Sequence, residues 1–167
     1  MLRALVTALV LAAAAPASAA SPPFDPHSVL RPEAVARYDN IKTTVARAGW
    51  TCIYVEPSKT TATSGYAYTV GLSAKHLPEV LYITPESGEI ACAMITAIAT
   101  RLVRRGQAVG EGYEPLPTHK VRLHRIPPKT FFDTCTFAGV WALDHGTLHG
   151  AQAVQVIVSL PLASSGA

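Results

Sequence analysis

Tyr68, Thr69, His76 and Glu79 are the residues whose types and spacing best suit proton-transfer or ligand-binding chemistry. They fall within Gly65-Tyr66-Ala67-Tyr68-Thr69-Val70-Gly71-Leu72 and the following His76-Leu77-Pro78-Glu79. A strand through the first segment sends Tyr66, Tyr68 and Val70 to one face and Ala67, Thr69 and Gly71 to the other. Gly71 leaves room for a backbone or a ligand to approach closely. His76 and Glu79 flank the turn into the next strand. This order predicts an imidazole and a carboxylate beside the Tyr68 hydroxyl, groups suited to general acid/base work. A functional pocket is therefore expected to border Tyr68, Thr69, Gly71, His76 and Glu79. The same residues also suit a structural corner, with His76 bonded to backbone and Glu79 solvated. The lack of an evident nucleophile favours the corner.

Other reactive side chains carry weaker signals. Cys52, Cys92 and Cys135 lie about 40 residues apart, so none forms the close pair of a zinc site. At most one intramolecular disulfide can form, with one thiol left over, and the spacing does not choose the pair. Apolar neighbours predict burial as small hydrophobes for all three. His145 and His149 have a helical metal-binding spacing, but Gly146 and Gly150 make the segment a turn, and no third ligand follows. No Gly-x-Ser-x-Gly elbow, phosphate loop or dinucleotide fingerprint is present. Neither a metal nor another cofactor is expected.

The elements that must position these residues follow from periodicity and punctuation. Pro32 suits the first turn of a helix and Gly49 its end, with Val35, Tyr38, Ile41, Val45 and Ala48 forming one apolar stripe. Trp50–Glu56 and Gly65–Leu72 read as a β-hairpin around a polar loop, and Glu79–Thr84 as a third strand. Thr84 and Pro85 then open a helix that Gly106 ends, with a stripe of Ile90, Met94, Ile98 and Leu102 backed by Ala91 and Ile95. A loop over 107–117 precedes a strand, His119–Ile126, whose two histidines should face opposite ways. Pro127 and Pro128 open a third helix reaching about Leu143. Gly146–Gly150 is a turn, and Ala151–Leu160 is the closing strand. The predicted class is α+β, a mostly antiparallel sheet of about five strands with helices on one face. Trp50, Ile95, Ile98 and Val156 are expected in its core.

Residues 1–20 read as a cleavable export signal: a basic Met1-Leu2-Arg3, an apolar run from Ala4 to Ala15, then Pro16 before Ala17-Ser18-Ala19. Twelve apolar residues fall short of the roughly 20 needed to span a bilayer core. Cleavage is expected after Ala19 or Ala20, which places the mature chain in the periplasm or outside the cell. Residues 21–31 form a Pro-rich lead-in, 32–161 a single domain and 162–167 a flexible tail. Without Arg3, 13 basic side chains face 11 acidic ones, too even a balance for a dedicated nucleic-acid binder. Arg101, Arg104 and Arg105 close a predicted helix, where cations complement its dipole. Neither nucleic acid nor, after cleavage, a membrane is an expected partner.

Gly49-Trp50, then Ala67-Tyr68-Thr69-Val70-Gly71-Leu72, then His76 and Pro78-Glu79 stepping into a strand, resemble a bacterial family of unknown function, DUF4262. The resemblance spans about Ala48 to Leu160 and is most specific over Tyr68–Leu72. Leu77 intrudes between His76 and Pro78. Gln155 matches a Gln of the family's last strand, whereas the Trp-Pro-Asp that often follows it is replaced by Val158-Ser159-Leu160. Any pocket built from that tripeptide is altered here. The resemblance implies an α+β fold and no established reaction. Two functions stay open: an exported module binding a protein or small ligand through the Tyr66–Glu79 surface, and a small hydrolase-like enzyme using His76 and Glu79 with Tyr68. Convergence of those three side chains on a cleft distinguishes the enzyme.

Overall fold

The computed structural model describes residues 24–58, 63–106, 112–115 and 120–159. The export segment, the start of the lead-in, His119 and the tail lie outside the described residues.

Helix α1 (Pro32–Ala48) opens on Pro32 and ends at Gly49, whose φ of 84° suits a left-handed C-terminal cap. It buries Tyr38, Ile41 and Val45, and the Tyr38 hydroxyl donates to Asp144 Oδ2 at 2.9 Å. The chain then forms an antiparallel hairpin from β1 (Thr51–Val55) and β2 (Gly65–Val70), extended by a bridge between Ser58 and Thr63. Strand β3 (Glu79–Thr84) adds antiparallel to β2. Helix α2 (Gly88–Arg105) follows, then β4 (Gly112–Pro115) and β5 (Lys120–Ile126), paired with each other antiparallel. Two short helices, α3 (Pro128–Thr134) and α4 (Thr136–Asp144), precede β6 (Ala153–Ser159).

The strands make one sheet in the order β1-β2-β3-β6-β5-β4. Among the described residues only the β3–β6 pair is parallel, so the α+β class and the mostly antiparallel sheet match the sequence reading. Among the described residues the sheet has six strands against the expected five or so, the extra one being β4, which occupies part of the expected 107–117 loop. An edge position explains it, since Pro115 has no N–H to give and an edge strand need not supply one.

Helices cover both faces rather than one. Ile53, Tyr68, Val70 and Leu81 pack with residues of α1, α3 and α4. Their sequence neighbours Ala67, Val80 and Tyr82 pack with α2. β2 and β3 are thus apolar on both sides, and a strand of that kind needs a cover on each.

Local boundaries also shift. Thr84 caps a turn by accepting from Glu86 N at 3.1 Å, and α2 starts at Gly88 after Ser87. Its buried stripe is Ala91, Ile95, Ile98, Ala99 and Leu102, leaving Ile90 at 52% exposure. The predicted helix over 128–143 breaks at Cys135, between Thr134 and Thr136, where no residue is a strong helix former. Ile95, Ile98 and Val156 are buried as expected, whereas Trp50 is only half-buried against the α2 side.

Cys52 on β1 and Cys92 on α2 form a disulfide with their Cα atoms 5.9 Å apart. These two are half-buried on the α2 side rather than fully buried as expected. Cys135 is buried as expected, as a free thiol. No helix among the described residues is long and apolar enough to cross a membrane.

Candidate functional site

Glu79 is fully buried, and its carboxylate is occupied by the fold. Oε2 accepts from Thr69 Oγ1 at 2.6 Å, while Oε1 accepts from Gly71 N at 3.0 Å and Ser73 N at 2.9 Å. Those amides belong to the 3₁₀ turn Leu72–Lys75 that links β2 to β3, so Glu79 caps it from eight and six residues away. Thr69 Oγ1 also accepts from Val80 N at 2.8 Å, standing in for a backbone acceptor where β2 and β3 separate. Burial pushes the Glu79 carboxyl above the usual range, and the hydrogen bonds from Thr69, Ser73 and Gly71 pull it back only in part. Ser73 Oγ lies beside the same carboxylate but outside hydrogen-bond geometry, which leaves it buried and unpartnered.

The other predicted residues go elsewhere. Gly71 has φ 110°, and a Cβ there would lie 2.7 Å from Val45 Cγ1 and 3.1 Å from Gly49 O. The space left by Gly71 is therefore filled by α1 and the chain entering β1, not by a ligand. Tyr68 is buried and packs edge-on against Phe131 with ring centroids 6.4 Å apart. Burial raises the pKa of its hydroxyl, and Cys135 nearby adds to the effect. Burial likewise holds the Cys135 thiol well above its ordinary value, with the nearby Glu79 charge adding to the effect, so this sulfur is a poor nucleophile. His76 is exposed, sits at φ 57°, and donates its backbone N–H to Ser73 O at 3.0 Å. Tyr68, His76 and Glu79 do not converge on a cleft. The corner reading departs from the structure in both residues: the His76 side chain is exposed and only its main-chain N–H is bonded, and Glu79 is buried, not solvated. Among the described cavities, one of about 320 Å³ lies between Val29 and the Phe132, Val140, Leu143 and Leu148 side chains, and none touches the predicted residues.

A different surface is open. Tyr66 pairs with Ile83 across β2 and β3, and Ile157 pairs with Arg122 across β6 and β5. The register Leu81↔Gln155 puts Ile83 and Ile157 side by side, two residues further along parallel strands. All point to the face that α1, α3 and α4 cover only at its other end. Ile83 is 48% and Ile157 45% exposed, and they are rimmed by half-buried Tyr66 and Gln155 and by exposed Arg122 and His124. The sequence carried a signal for this surface. Lys120-Val121-Arg122-Leu123-His124 alternates polar with apolar residues, the pattern of a strand wet on one side. Apart from His124, no residue in it is of a type that marks a site, so the surface emerges only from the pairing of the strands.

A family model described as a domain of unknown function, DUF4262, matches residues 44–161. The chain belongs to the DUF4262 family. No curated protein and no solved structure matches it. The DUF4262 match takes in every strand of the sheet, the turn capped by Glu79 and the open face. Within it, Tyr68–Leu72 is buried throughout, so the segment most specific to DUF4262 here builds the corner. Gln155 instead borders the open face, paired with His124.

Proposed function

We propose that this DUF4262 chain is an exported, disulfide-stapled binding domain that takes a protein or small ligand on the open half of its sheet. The observation that carries the proposal is the exposed Ile83–Ile157 pair with its polar rim. Adjacent exposed aliphatic side chains flanked by tyrosine, arginine and histidine have the make-up of a recognition patch. Arg122 favours a ligand that sets a carboxylate beside an apolar body. The failure of Tyr68, His76 and Glu79 to converge weighs against the hydrolase-like alternative. Export is supported by the signal-like N-terminus and by the Cys52–Cys92 pair, since such bonds persist in oxidising compartments. The mature chain is expected to begin after Ala19 or Ala20, which N-terminal mass spectrometry of exported protein checks.

An array of short peptides, each setting an aliphatic or aromatic anchor beside Asp or Glu, tests the binding reading. Wild-type protein should retain a subset. Ile157→Asp and Arg122→Glu should each weaken retention about tenfold or more while leaving the melting temperature nearly unchanged. Retention unaffected by both changes but lost in His76→Ala would move the site back to the turn.

A further inference from the structure

The two edges of the sheet are built differently. β4 is four residues long and carries Gly112, Glu114 and Pro115, devices that discourage a further strand. β1, at the opposite edge, reads Thr51-Cys52-Ile53-Tyr54-Val55, with no charge, proline or glycine. Among the described residues, no backbone hydrogen bond joins it to anything but β2. This strand is also held firmly. The disulfide at Cys52 ties one side to α2, and Ile53 is buried with the α1 residues on the other. A rigid strand edge with unpaired N–H and C=O groups binds an added strand at little ordering cost.

We propose that two copies of this chain pair antiparallel through β1, with Ile53 on the two-fold axis. Charge favours a second copy as the occupant. In that register Cys52 faces the partner's Tyr54, Thr51 faces the partner's Val55, and Glu56 faces the partner's Trp50. Lys75 lies beside that end of the strand, its Nζ 3.2 Å from where a Gly49 Cβ would stand. Glu56 and Lys75 are both exposed, so the symmetry brings an acid to a base twice. The axis is perpendicular to the sheet, and both open Ile83–Ile157 surfaces then look the same way. The pairing stands independently of what those surfaces bind.

Sedimentation equilibrium of the exported chain from micromolar to millimolar concentration tests it. A dimer is expected. Glu56→Lys and Lys75→Glu should each raise the dissociation constant about tenfold, and the double swap should restore it. Thr51→Lys, on the same edge, should also dissociate the dimer, and thermal melts verify that each variant is folded. In hydrogen exchange, β1 amides should gain protection as concentration rises. A monomer throughout, a dimer indifferent to the charge swap, or β1 protection independent of concentration would overturn the proposal.

Discussion

Glu79 holds its place through donors from β2 and the turn that follows it: one hydroxyl and two amides reach its two oxygens. Glu79→Gln keeps the shape but points an NH₂ group at a donor, so a loss of about 1–3 kcal/mol is expected in denaturant unfolding. The pH response has a definite sign. Because burial raises the folded-state pKa above the ordinary 4.5, the native state keeps its proton longer than the unfolded chain. Stability should therefore fall as pH rises from that ordinary value through the raised one. Melting temperatures of wild type and Glu79→Gln across this range check it, since the variant should lack that slope. His76 is the one non-glycine among the described residues with a positive φ. Its exposed side chain leaves that conformation uncompensated, and His76→Gly should stabilise by up to about 1 kcal/mol. The sequence marked this corner correctly as a place where special residues gather. It could not show that Glu79 turns inward, because that depends on amides six and eight residues away folding back over it.

The elements were legible where periodicity was long and punctuation firm. α1 lies between its Pro and Gly as expected, and β1, β2, β3 and β6 fall within a residue or two of their predicted spans. The misplacements have physical causes. Thr84-Pro85 imitates a helix start, yet Ser87 begins α2, and the stripe turns to put Ala91 rather than Ile90 inward. Ile98→Ala should cost about 2–5 kcal/mol. Ile90→Ala should stay within about 0.5 kcal/mol, and paired denaturation curves separate the two. β4 was illegible because four residues containing Gly and Pro gain strand character only from their neighbour. The Cys52–Cys92 bond spans 40 residues, and removing it as Cys52→Ser/Cys92→Ser should cost about 2–4 kcal/mol in denaturant unfolding, measured against oxidised wild type.

At the scale of the whole molecule, cover on two faces follows from strands that are apolar on both sides. Ala67 and Tyr68, or Val80 and Leu81, are successive buried apolar residues, which a sheet with one bare face would not tolerate. The one-face expectation rests on the order of elements, a hairpin mixed with helical crossovers, which does not by itself say on which face each helix lies. The open surface exists because the helical cover on that side stops short of Ile83 and Ile157. Strand order has a further effect, on time rather than on shape. β6 follows all five of its sheet-mates in the chain yet lies between β3 and β5. Until it arrives, β1–β3 and β4–β5 are separate fragments with a gap where the middle of the sheet belongs. Both contacts that close the gap join distant parts of the chain or wait on its far end, so closure should be slow and all-or-none. A nascent chain lacking Ala153–Ser159 should therefore show native-like hydrogen-exchange protection nowhere in the sheet. On the export proposed above, such a delay keeps the polypeptide threadable while it crosses a membrane.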